Sequence, residues 1–464
     1  VNIHANLNDI EGVYFAAIKN SSTGDILYSN PFDPQQKPFF HYPLYLLLGK
    51  IVALASLPIA FVYSSAILVL TFIYMLFIFK FTKLFFDDVA RQLLTFGLVI
   101  FGGLFFFGVP EGIGLFSFTF PHYTVAQLGL FTCLYILVKI CKGELKQKKW
   151  LLVLSFFVIV VGVTHPWMLI PLITTYFSAY FLLFAKKLTP RLLLAGFITL
   201  IVTSLPFLLY FGNQARIPWV SYPLNFPLYG LLLLYGPILI PALIGLITLR
   251  KKTANPAILI LACWFFAQLI FVYLPFPFQR RFLEGMYLPI AILTVYGIDW
   301  FIDRFDLKSR RILVFTNAFT YLSIGVIVNY LILFAWLPNQ LIYRPFKEKE
   351  AILFLDKNSK KSDILLSSPD TAHIIASFAD LKIFVGHGIQ TPNFNAKQEF
   401  AEKYYKGQID ENKRSKMLSE RNICFVYVGS SEKEVSKIDF EKESYLEPFF
   451  NNNIVKIYKT TWCR

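Results

Sequence analysis

Two adjacent arginines and a glutamate lie between two long apolar stretches, in the segment PFPFQRRFLEG from Pro275 to Gly285. Guanidinium groups bind phosphate or pyrophosphate bidentately, so Arg280 and Arg281 are candidate ligands of a phosphorylated molecule. The alternative is an internal ion pair, because Glu284 follows at helical spacing from both arginines. The two interpretations are compatible if Glu284 holds one arginine while the other binds the ligand.

Carboxylates precede apolar patterns at two other places. Asp9 and Glu11 in LNDIEGVYFAAI come just before a pattern typical of a short amphipathic helix lying on a membrane, where Asp9 could equally be the helix N-cap. Glu111 lies in the glycine-rich stretch VPEGIGLFSFTFPHYTVAQ, and His122 follows it at the start of the next apolar run. A carboxylate in either place could remove a proton from an acceptor hydroxyl.

A further cation, Lys37, precedes Pro38 in NPFDPQQKPFFHYPLYLLLGK, although a lysine there could instead be a headgroup anchor. Cations close to a departing phosphate stabilise the negative charge that develops on it. Carboxylates and cations together therefore suit a transfer reaction from a phospholipid-linked donor.

The composition indicates which elements must position these residues. The 464-residue chain is 56% hydrophobic, 18% aromatic and only 16% charged, with a mean hydropathy of +0.55, which is typical of a membrane protein. We predict an all-α polytopic membrane protein of about ten transmembrane helices with a small C-terminal α/β extracytoplasmic domain. The predicted spans are 58–81, 93–109, 121–140, 150–164, 166–185, 192–211, 227–249, 257–275, 283–302 and 312–336.

This assignment divides the chain into three parts. Residues 1–57 form an outer segment that ends in a juxtamembrane helix at 43–57, residues 58–336 form the transmembrane domain, and residues 347–464 form the soluble domain. The chain begins at Val1 without a signal-peptide pattern, so we expect a segment to be missing from its front.

Basic clusters between the spans predict the orientation. The net charge of +15 is concentrated in these clusters, all of which fall on one face, so the positive-inside rule makes that face cytoplasmic and nucleic acid is not an expected partner. The opposite face then receives the N-terminal segment, the Arg280–Arg281 stretch, the C-terminal domain and every histidine. These histidines are His4, His41, His122, His165, His373 and His387.

Two of these histidines have alternative interpretations. His387, in FVGHGIQTPNFNAK, could reach over an active site as part of a lid or could be a structural loop residue, which is the commoner case. His165 precedes Pro166 and Trp167 at a turn between spans, where an interfacial structural role is favoured over a catalytic one.

The cysteines show no metal-ligand spacing. The one conceivable disulfide joins Cys424 and Cys463 in the C-terminal domain, while small apolar packing is the default role of the cysteines in predicted spans.

The arrangement resembles the GT-C class of polyprenyl-phosphate-sugar-dependent glycosyltransferases, which includes protein O-mannosyltransferases and lipid A aminoarabinose transferases. DIEGVY and KPFFHYPLYLLLGK resemble the catalytic acidic motif and the lysine–proline turn of the family's first outer loop. RRFLEGMYLP resembles its arginine motif at the outer end of a late span, and PEGIGLFSFTFPHY resembles its second acidic loop. The spacing from Asp9 to Tyr14 is one residue longer than usual, so Glu11 is an alternative counterpart. Phe39 replaces the second proline, and the family's first span has no counterpart.

The resemblance implies inverting transfer of a sugar from a polyprenyl-phosphate-linked donor to a hydroxyl of an unknown glycan, lipid or protein acceptor on the outer face. No cofactor is required on this reading, although a divalent metal is possible. The residues implied are Asp9 or Glu11 as catalytic base, Lys37, Arg280 and Arg281 as donor-phosphate ligands, and Glu111 and His122 as substrate contacts. Glu284 and His387 are further candidate substrate contacts, which the resemblance does not itself imply.

Two rival functions belong to other classes. A transporter of lipid-linked or soluble solutes would show internal repeats or interrupted spans at matching positions in two halves, with ionisable groups near the midplane. No such repeat is evident, and the candidate ionisable residues lie at the outer face of the predicted membrane domain rather than near its midplane. The other rival is a GT-C-like scaffold that keeps the fold without the chemistry, which the altered Asp9 spacing leaves open.

Overall fold

The computed structural model describes residues 10–39, 43–101, 120–185, 191–214, 228–249, 255–276, 279–321 and 346–463. These residues form two compact units. The helical unit is drawn from Ser65–Trp336, and the sheet unit combines Asn2–Ser64 with Leu337–Arg464.

A π-helical turn, Ile10–Phe15, begins the described chain and leads into the first α-helix. The α-helices up to residue 304 are α1 Ala16–Ser22, α2 Pro43–Ala55, α3 Ile59–Thr82, α4 Val89–Phe101, α5 Pro121–Cys141, α6 Lys149–Thr164, α7 Leu169–Ala185, α8 Arg191–Gln214, α9 Leu228–Tyr235, α10 Leu239–Leu249, α11 Pro256–Tyr273 and α12 Tyr287–Arg304. Short 3₁₀ turns occur at Pro166–Met168, Gly236–Ile238, Gln279–Leu283 and Lys308–Arg310.

Several of these helices are long and apolar enough to cross a membrane. Among the described residues, four segments meet that length and hydropathy: Ile59–Thr82, Pro121–Cys141, Pro166–Leu183 and Pro256–Tyr273. They correspond to the predicted spans 58–81, 121–140, 166–185 and 257–275. The other apolar helices are shorter, so the number of about ten spans stays a prediction. Large apolar side chains such as Leu68 and Phe72 are exposed on α3, as expected of a helix that faces lipid.

Proline and glycine set the helix boundaries and crossings of the helical unit. Pro256 is the first residue of α11, and the Asn255 side chain accepts a hydrogen bond from the amide of Ala257 at 3.0 Å. Helices α10 and α12 cross closely because Gly245 and Gly297 lack side chains. A Cβ added at Gly297 would lie 1.9 Å from a backbone oxygen of α10.

The predicted span 227–249 is interrupted in the structure. Helix α9 ends at Tyr235, and Gly236, with φ of +61°, opens the 3₁₀ turn that precedes α10. Glycine adopts this left-handed conformation without a Cβ clash, so it breaks an otherwise continuous apolar run.

The sheet unit contains a five-stranded sheet with the order β2-β1-β3-β5-β4. Its strands are β1 Ile364–Leu366, β2 Lys382–Ile383, β3 Ile423–Val428, β4 Leu446–Asn451 and β5 Lys456–Thr460, and its helices are α13 Phe346–Asn358, α14 Pro369–Phe378, α15 Phe394–Tyr405, α16 Glu411–Glu420 and α17 Ser430–Val435. Strand β1 pairs parallel with β2 and β3, whereas β5 pairs antiparallel with β3 and β4. Cys424 in β3 forms a disulfide with Cys463 beyond β5. The small C-terminal α/β fold predicted from the sequence is confirmed.

The N-terminal segment completes the sheet unit. Lys19 in α1 forms an ion pair of 2.7 Å with Asp356 in α13, and the amide of Ile383 in β2 donates to the carbonyl of Pro31 at 2.8 Å. Phe32 is fully buried in the apolar core beside the sheet. These contacts join residues that are more than 300 positions apart, as in the Lys19–Asp356 pair with its separation of 337.

Helix α2, which corresponds to the helix predicted at 43–57, packs closely on α1. The Ser21 hydroxyl donates to the carbonyl of Leu46 at 2.7 Å, and a Cβ at Gly49 would lie 2.4 Å from the carbonyl oxygen of Ile18. This packing holds α1, and with it the preceding π-helical turn, in a defined position.

Candidate active-site residues

A buried polar cluster lies in the helical unit where the turn Gln279–Leu283 leads into α12. The Glu284 side chain is 0% exposed, and its Oε2 accepts a hydrogen bond from Nδ1 of His165 at 2.5 Å. Its Oε1 lies 3.6 Å from Nη1 of Arg281. A buried carboxylate is strongly destabilising unless it is paired, so this double pairing explains how Glu284 is tolerated there.

Arg281 is held by two aromatic residues and is partly exposed. Its Nη1 donates to the Tyr123 hydroxyl, and its Cζ lies 5.1 Å from the centroid of the Trp167 ring. The side chain nevertheless remains 26% exposed. A guanidinium that is held by an aromatic face and a phenol has little conformational freedom left to lose when it binds an anion. This suits a phosphate ligand.

His165 is positioned by the end of α6 and the turn after it. Its amide donates to the carbonyl of Val161 at 2.7 Å, and Pro166 then prevents the helix from continuing. The imidazole stacks on Trp167 with ring centroids 4.7 Å apart and meets the edge of Tyr123 at 4.5 Å. The ring is therefore held in one orientation with Nδ1 toward Glu284.

The backbone around Glu284 is fixed by α11 and α5. Gln268 Nε2 in α11 donates to the carbonyls of Phe282 and Glu284, at 3.1 and 2.6 Å. Gly285 has φ of +79°, and a Cβ there would lie 3.1 Å from side-chain atoms of Leu130 in α5. Only glycine fits this conformation and this space well, so QRRFLEG is held tightly against the helices.

His122 joins the cluster from the first turn of α5. Its ring centroid lies 5.1 Å from that of His165 and 4.6 Å from that of Tyr123. Arg280 lies in the same 3₁₀ turn as Arg281, and its side chain is outside the described residues. Of the residues predicted from sequence, the helical unit thus brings His122, Arg281 and Glu284 together.

The second group of candidate residues lies in the sheet unit, at the π-helical turn that contains Glu11. Gly12 of this turn is buried against α14, and a Cβ added to it would lie 2.2 Å from Nδ1 of His373. π-Helical turns are rare and occur frequently at functional sites. The Glu11 side chain and Asp9 are outside the described residues, as is Glu111, so their predicted roles stay predictions.

Lys37 lies in a loop closed by a backbone pair. The amide of Tyr28 donates to the carbonyl of Phe39 at 3.0 Å, and the amide of Phe39 donates back at 3.1 Å. The Tyr28 hydroxyl donates to Oε1 of Gln390 at 2.8 Å, which ties the loop to the segment after β2. The Lys37 side chain is exposed, and no ion pair or hydrogen bond of it occurs among the described residues.

His387 is buried inside the sheet unit. Its ring centroid lies 5.6 Å from that of His373 and 6.3 Å from that of Phe32, and its Nδ1 accepts from the amide of Gln390 at 3.3 Å. These contacts fit the structural loop interpretation, and the lid role stays a prediction.

Several residues of these clusters were not predicted to take part: Tyr123, Trp167, Gln268 and His373. Tyr123 adjoins His122, and Trp167 lies two positions after His165. These neighbours are the sequence signals that could have indicated the two aromatic residues. His165 was interpreted as a structural turn residue, because its partner Glu284 lies 119 positions away and no local pattern joins them. Among the described residues, no group of three or more His, Cys, Asp or Glu could hold a metal ion.

No protein-family model matches the sequence, and a search of curated proteins gave no match. Similar solved structures include the oligosaccharyltransferase of Archaeoglobus fulgidus tethered with an acceptor peptide containing the NVT sequon. It is 11% identical, with 90% of this chain and 64% of that chain covered and a TM-score of 0.55. The same archaeal enzyme, AglB, in complex with an inhibitory peptide and a dolichol-phosphate has 11% identity, covers 90% of this chain and 65% of that chain, and has a TM-score of 0.58. This chain therefore spans less than two thirds of the archaeal protein's length in these structures.

ArnT from Cupriavidus metallidurans bound to undecaprenyl phosphate is similar over almost the entire length of both proteins. The identity is 11%, 97% of this chain and 93% of that chain are covered, and the TM-score is 0.53. The archaeal oligosaccharyltransferase and ArnT are GT-C glycosyltransferases. The fold is therefore that of the GT-C class, as the sequence resemblance predicted.

Proposed function

We propose that this protein is a membrane glycosyltransferase that transfers a sugar from a polyprenyl-phosphate-linked donor to an acceptor hydroxyl on the outer face of the membrane, with inversion. The observation that carries the proposal is the fold similarity over 97% of this chain to ArnT, a structure that holds undecaprenyl phosphate. Because similarity at this level of identity shows the fold alone, the individual roles rest on the residues of this chain.

Arg281 is the proposed principal ligand of the donor phosphate. Tyr123 and Trp167 hold the guanidinium, and about a quarter of the side chain stays exposed. A charge-assisted bond to phosphate is shorter and stronger than a neutral one, and this strength increases as the departing phosphate gains charge. Lys37 and Arg280 are proposed as further phosphate ligands.

The proposed base is Glu11 or Asp9. In the reaction, the acceptor hydroxyl oxygen forms a bond to the anomeric carbon as the bond from that carbon to the phosphate oxygen breaks. The hydroxyl proton passes to the carboxylate, and the bonding electron pair leaves with the polyprenyl phosphate. Attack from the face opposite the phosphate inverts the anomeric centre in one displacement. Glu11 is favoured on structural grounds because it lies in the π-helical turn that is packed against His373.

The remaining predicted contacts are proposed to bind the sugar or the acceptor. They are Glu111, His122, Glu284 and His387. The acceptor is proposed to be a glycan, lipid or protein, and the archaeal neighbour is itself known with a tethered acceptor peptide.

The proposed mechanism requires no cofactor, because proton removal and phosphate stabilisation are assigned to side chains. The archaeal neighbour has also been crystallised with zinc and sulfate, so a divalent metal is the alternative source of charge stabilisation. Transfer that survives EDTA would support the metal-free mechanism, and loss that is restored by added metal would contradict it.

The sheet unit is proposed to be extracytoplasmic. Its Cys424–Cys463 disulfide supports this orientation, since disulfides persist mainly in oxidising compartments. Thiol-reactive labelling of intact cells before and after reduction by a membrane-impermeant phosphine tests the orientation. Labelling of these cysteines only after permeabilisation would contradict it.

The enzymatic test measures release of polyprenyl phosphate. The purified protein in lipid nanodiscs receives polyprenyl-phosphate sugars and acceptors extracted from its native membranes, and free polyprenyl phosphate is measured by mass spectrometry. Whichever of Asp9→Asn and Glu11→Gln removes the base is expected to reduce the release of polyprenyl phosphate by about 100-fold or more. Glu420→Gln, an exposed residue at the end of α16, is the matched control.

The outcomes separate the rival functions. Wild-type release in both carboxylate variants contradicts the base assignment. Movement of the intact donor across a vesicle membrane without release favours the transporter. Donor binding with neither release nor transport, in the presence of native acceptors, favours the scaffold.

A further inference from the structure

Among the described residues, Glu284 is shared between two partners that compete for its single charge. One carboxylate oxygen lies 2.5 Å from Nδ1 of His165 and the other lies 3.6 Å from Nη1 of Arg281. The contact to the imidazole is much the closer of the two, and both His165 and Glu284 are almost completely shielded from solvent. The hydrogen bond to His165 therefore draws the carboxylate away from a full bidentate pair with Arg281.

The protonation state of His165 sets the net charge of this group. When the imidazole is neutral, the charges of Glu284 and Arg281 cancel. When the imidazole is protonated, the three side chains carry one net positive charge. Buried charges are poorly screened, so this change is felt by an anion at the exposed side of Arg281.

We propose that His165 is a positioning residue for the donor phosphate: by binding Glu284 it keeps the carboxylate from forming a bidentate pair with Arg281, and its protonation strengthens phosphate binding at Arg281. This inference rests on the proposed function, because it concerns the same donor phosphate. His165 itself acts through Glu284 and Arg281. Its place is fixed by the Val161 carbonyl and the Trp167 ring.

The other groups around His165 define what else could titrate. In the described residues, α5 contributes His122, at 5.1 Å between ring centroids, and Tyr123, at 4.5 Å. The turn before α12 contributes Arg281 and Glu284, while α11 contributes only the neutral Gln268. His122 is thus the second side chain of this group that changes charge near neutral pH, and it must be separated from His165 in the test.

The test measures donor affinity against pH. The probe is undecaprenyl methyl phosphate, a phosphodiester whose own charge stays constant over the range used, and binding to the protein in nanodiscs is measured from about pH 5 to about pH 8. The wild type is expected to bind on the order of tenfold more tightly at the acidic end, as one added buried charge near a phosphate implies. His165→Asn, whose amide can still donate to Glu284, is expected to bind the probe with affinity that no longer varies with pH.

His122→Asn is the matched variant and is expected to keep the pH dependence. Three results would overturn this inference while leaving the proposed function intact. They are wild-type binding whose affinity does not vary with pH, a pH dependence of affinity that is unchanged in His165→Asn, and a pH dependence that is lost in His122→Asn. Failure of the wild type to bind the probe at every pH would contradict both. Loss of binding in His165→Ala together with retained binding in His165→Asn would support positioning through Glu284, since the Asn amide nitrogen replaces Nδ1 as the donor to the carboxylate. Loss of binding in both variants would overturn it.

Discussion

Replacing Gly12 by alanine is expected to displace the turn that carries Glu11. An added Cβ would lie 2.2 Å from Nδ1 of His373, whereas ordinary van der Waals contact begins at 3.4 Å. The turn or α14 must therefore move by about 1 Å, and overpacking of this kind costs about 1–3 kcal/mol in unfolding free energy. If Glu11 is the base, a misplacement of this size is expected to reduce kcat by about 100-fold.

The assay combines polyprenyl-phosphate release with thermal unfolding of the protein in nanodiscs. Gly196→Ala is the matched control, because a Cβ there would lie 3.8 Å from its nearest neighbours, the side chains of Leu154 and Tyr176, and alanine favours a helix. The double variant Gly12→Ala/His373→Ala is expected to recover part of the lost activity, since the ring that clashes is gone. Normal activity and stability in Gly12→Ala would refute the packing of this turn, and a loss of stability without a loss of activity would refute its catalytic importance.

Three further predictions concern stability. Gly297→Leu is expected to separate α10 from α12 and so to lower the yield of folded protein in detergent. The yield is measured by size-exclusion chromatography, and a normal yield would contradict the close crossing of the two helices. Cys424→Ser/Cys463→Ser is expected to lower the free energy of unfolding of the sheet unit by about 2–4 kcal/mol, measured by pulse proteolysis, because the bridge closes a long loop with a separation of 39. Glu443→Gln removes a carboxylate that accepts a hydrogen bond from Nε of the buried Arg414 at 3.2 Å. It is expected to lower the free energy of unfolding by about 3–5 kcal/mol, measured by pulse proteolysis, and a decrease below about 1 kcal/mol would contradict the pairing.

Local sequence patterns predicted the elements that depend on local physics. Apolar runs predicted the spans at 121–140 and 257–275, and the structure begins α5 at Pro121 and α11 at Pro256, where proline suits the first helical position. Strand β3, ICFVYV, is likewise a continuous run of apolar and β-branched residues, which suits a central strand of a sheet.

Contacts between distant parts of the chain could not be predicted in this way. The sequence does not show that Lys19 pairs with Asp356, and so it did not indicate that the N-terminal segment completes the sheet unit. The same limit applies to the site. A pair between Glu284 and a neighbouring arginine was one of the two interpretations of QRRFLEG, because it is a local relation. The hydrogen bond from His165 to Glu284 instead depends on how the turn after α6 meets the turn before α12.

The most direct test of the proposed function is a structure of this protein determined with undecaprenyl phosphate. We expect the phosphate to lie within hydrogen-bonding distance of the Arg281 guanidinium, about 3 Å, with the guanidinium still against Trp167 and Glu284 still bound to His165. Phosphate density elsewhere, or an Arg281 turned fully into a bidentate pair with Glu284 while the lipid is bound, would contradict the proposed donor site.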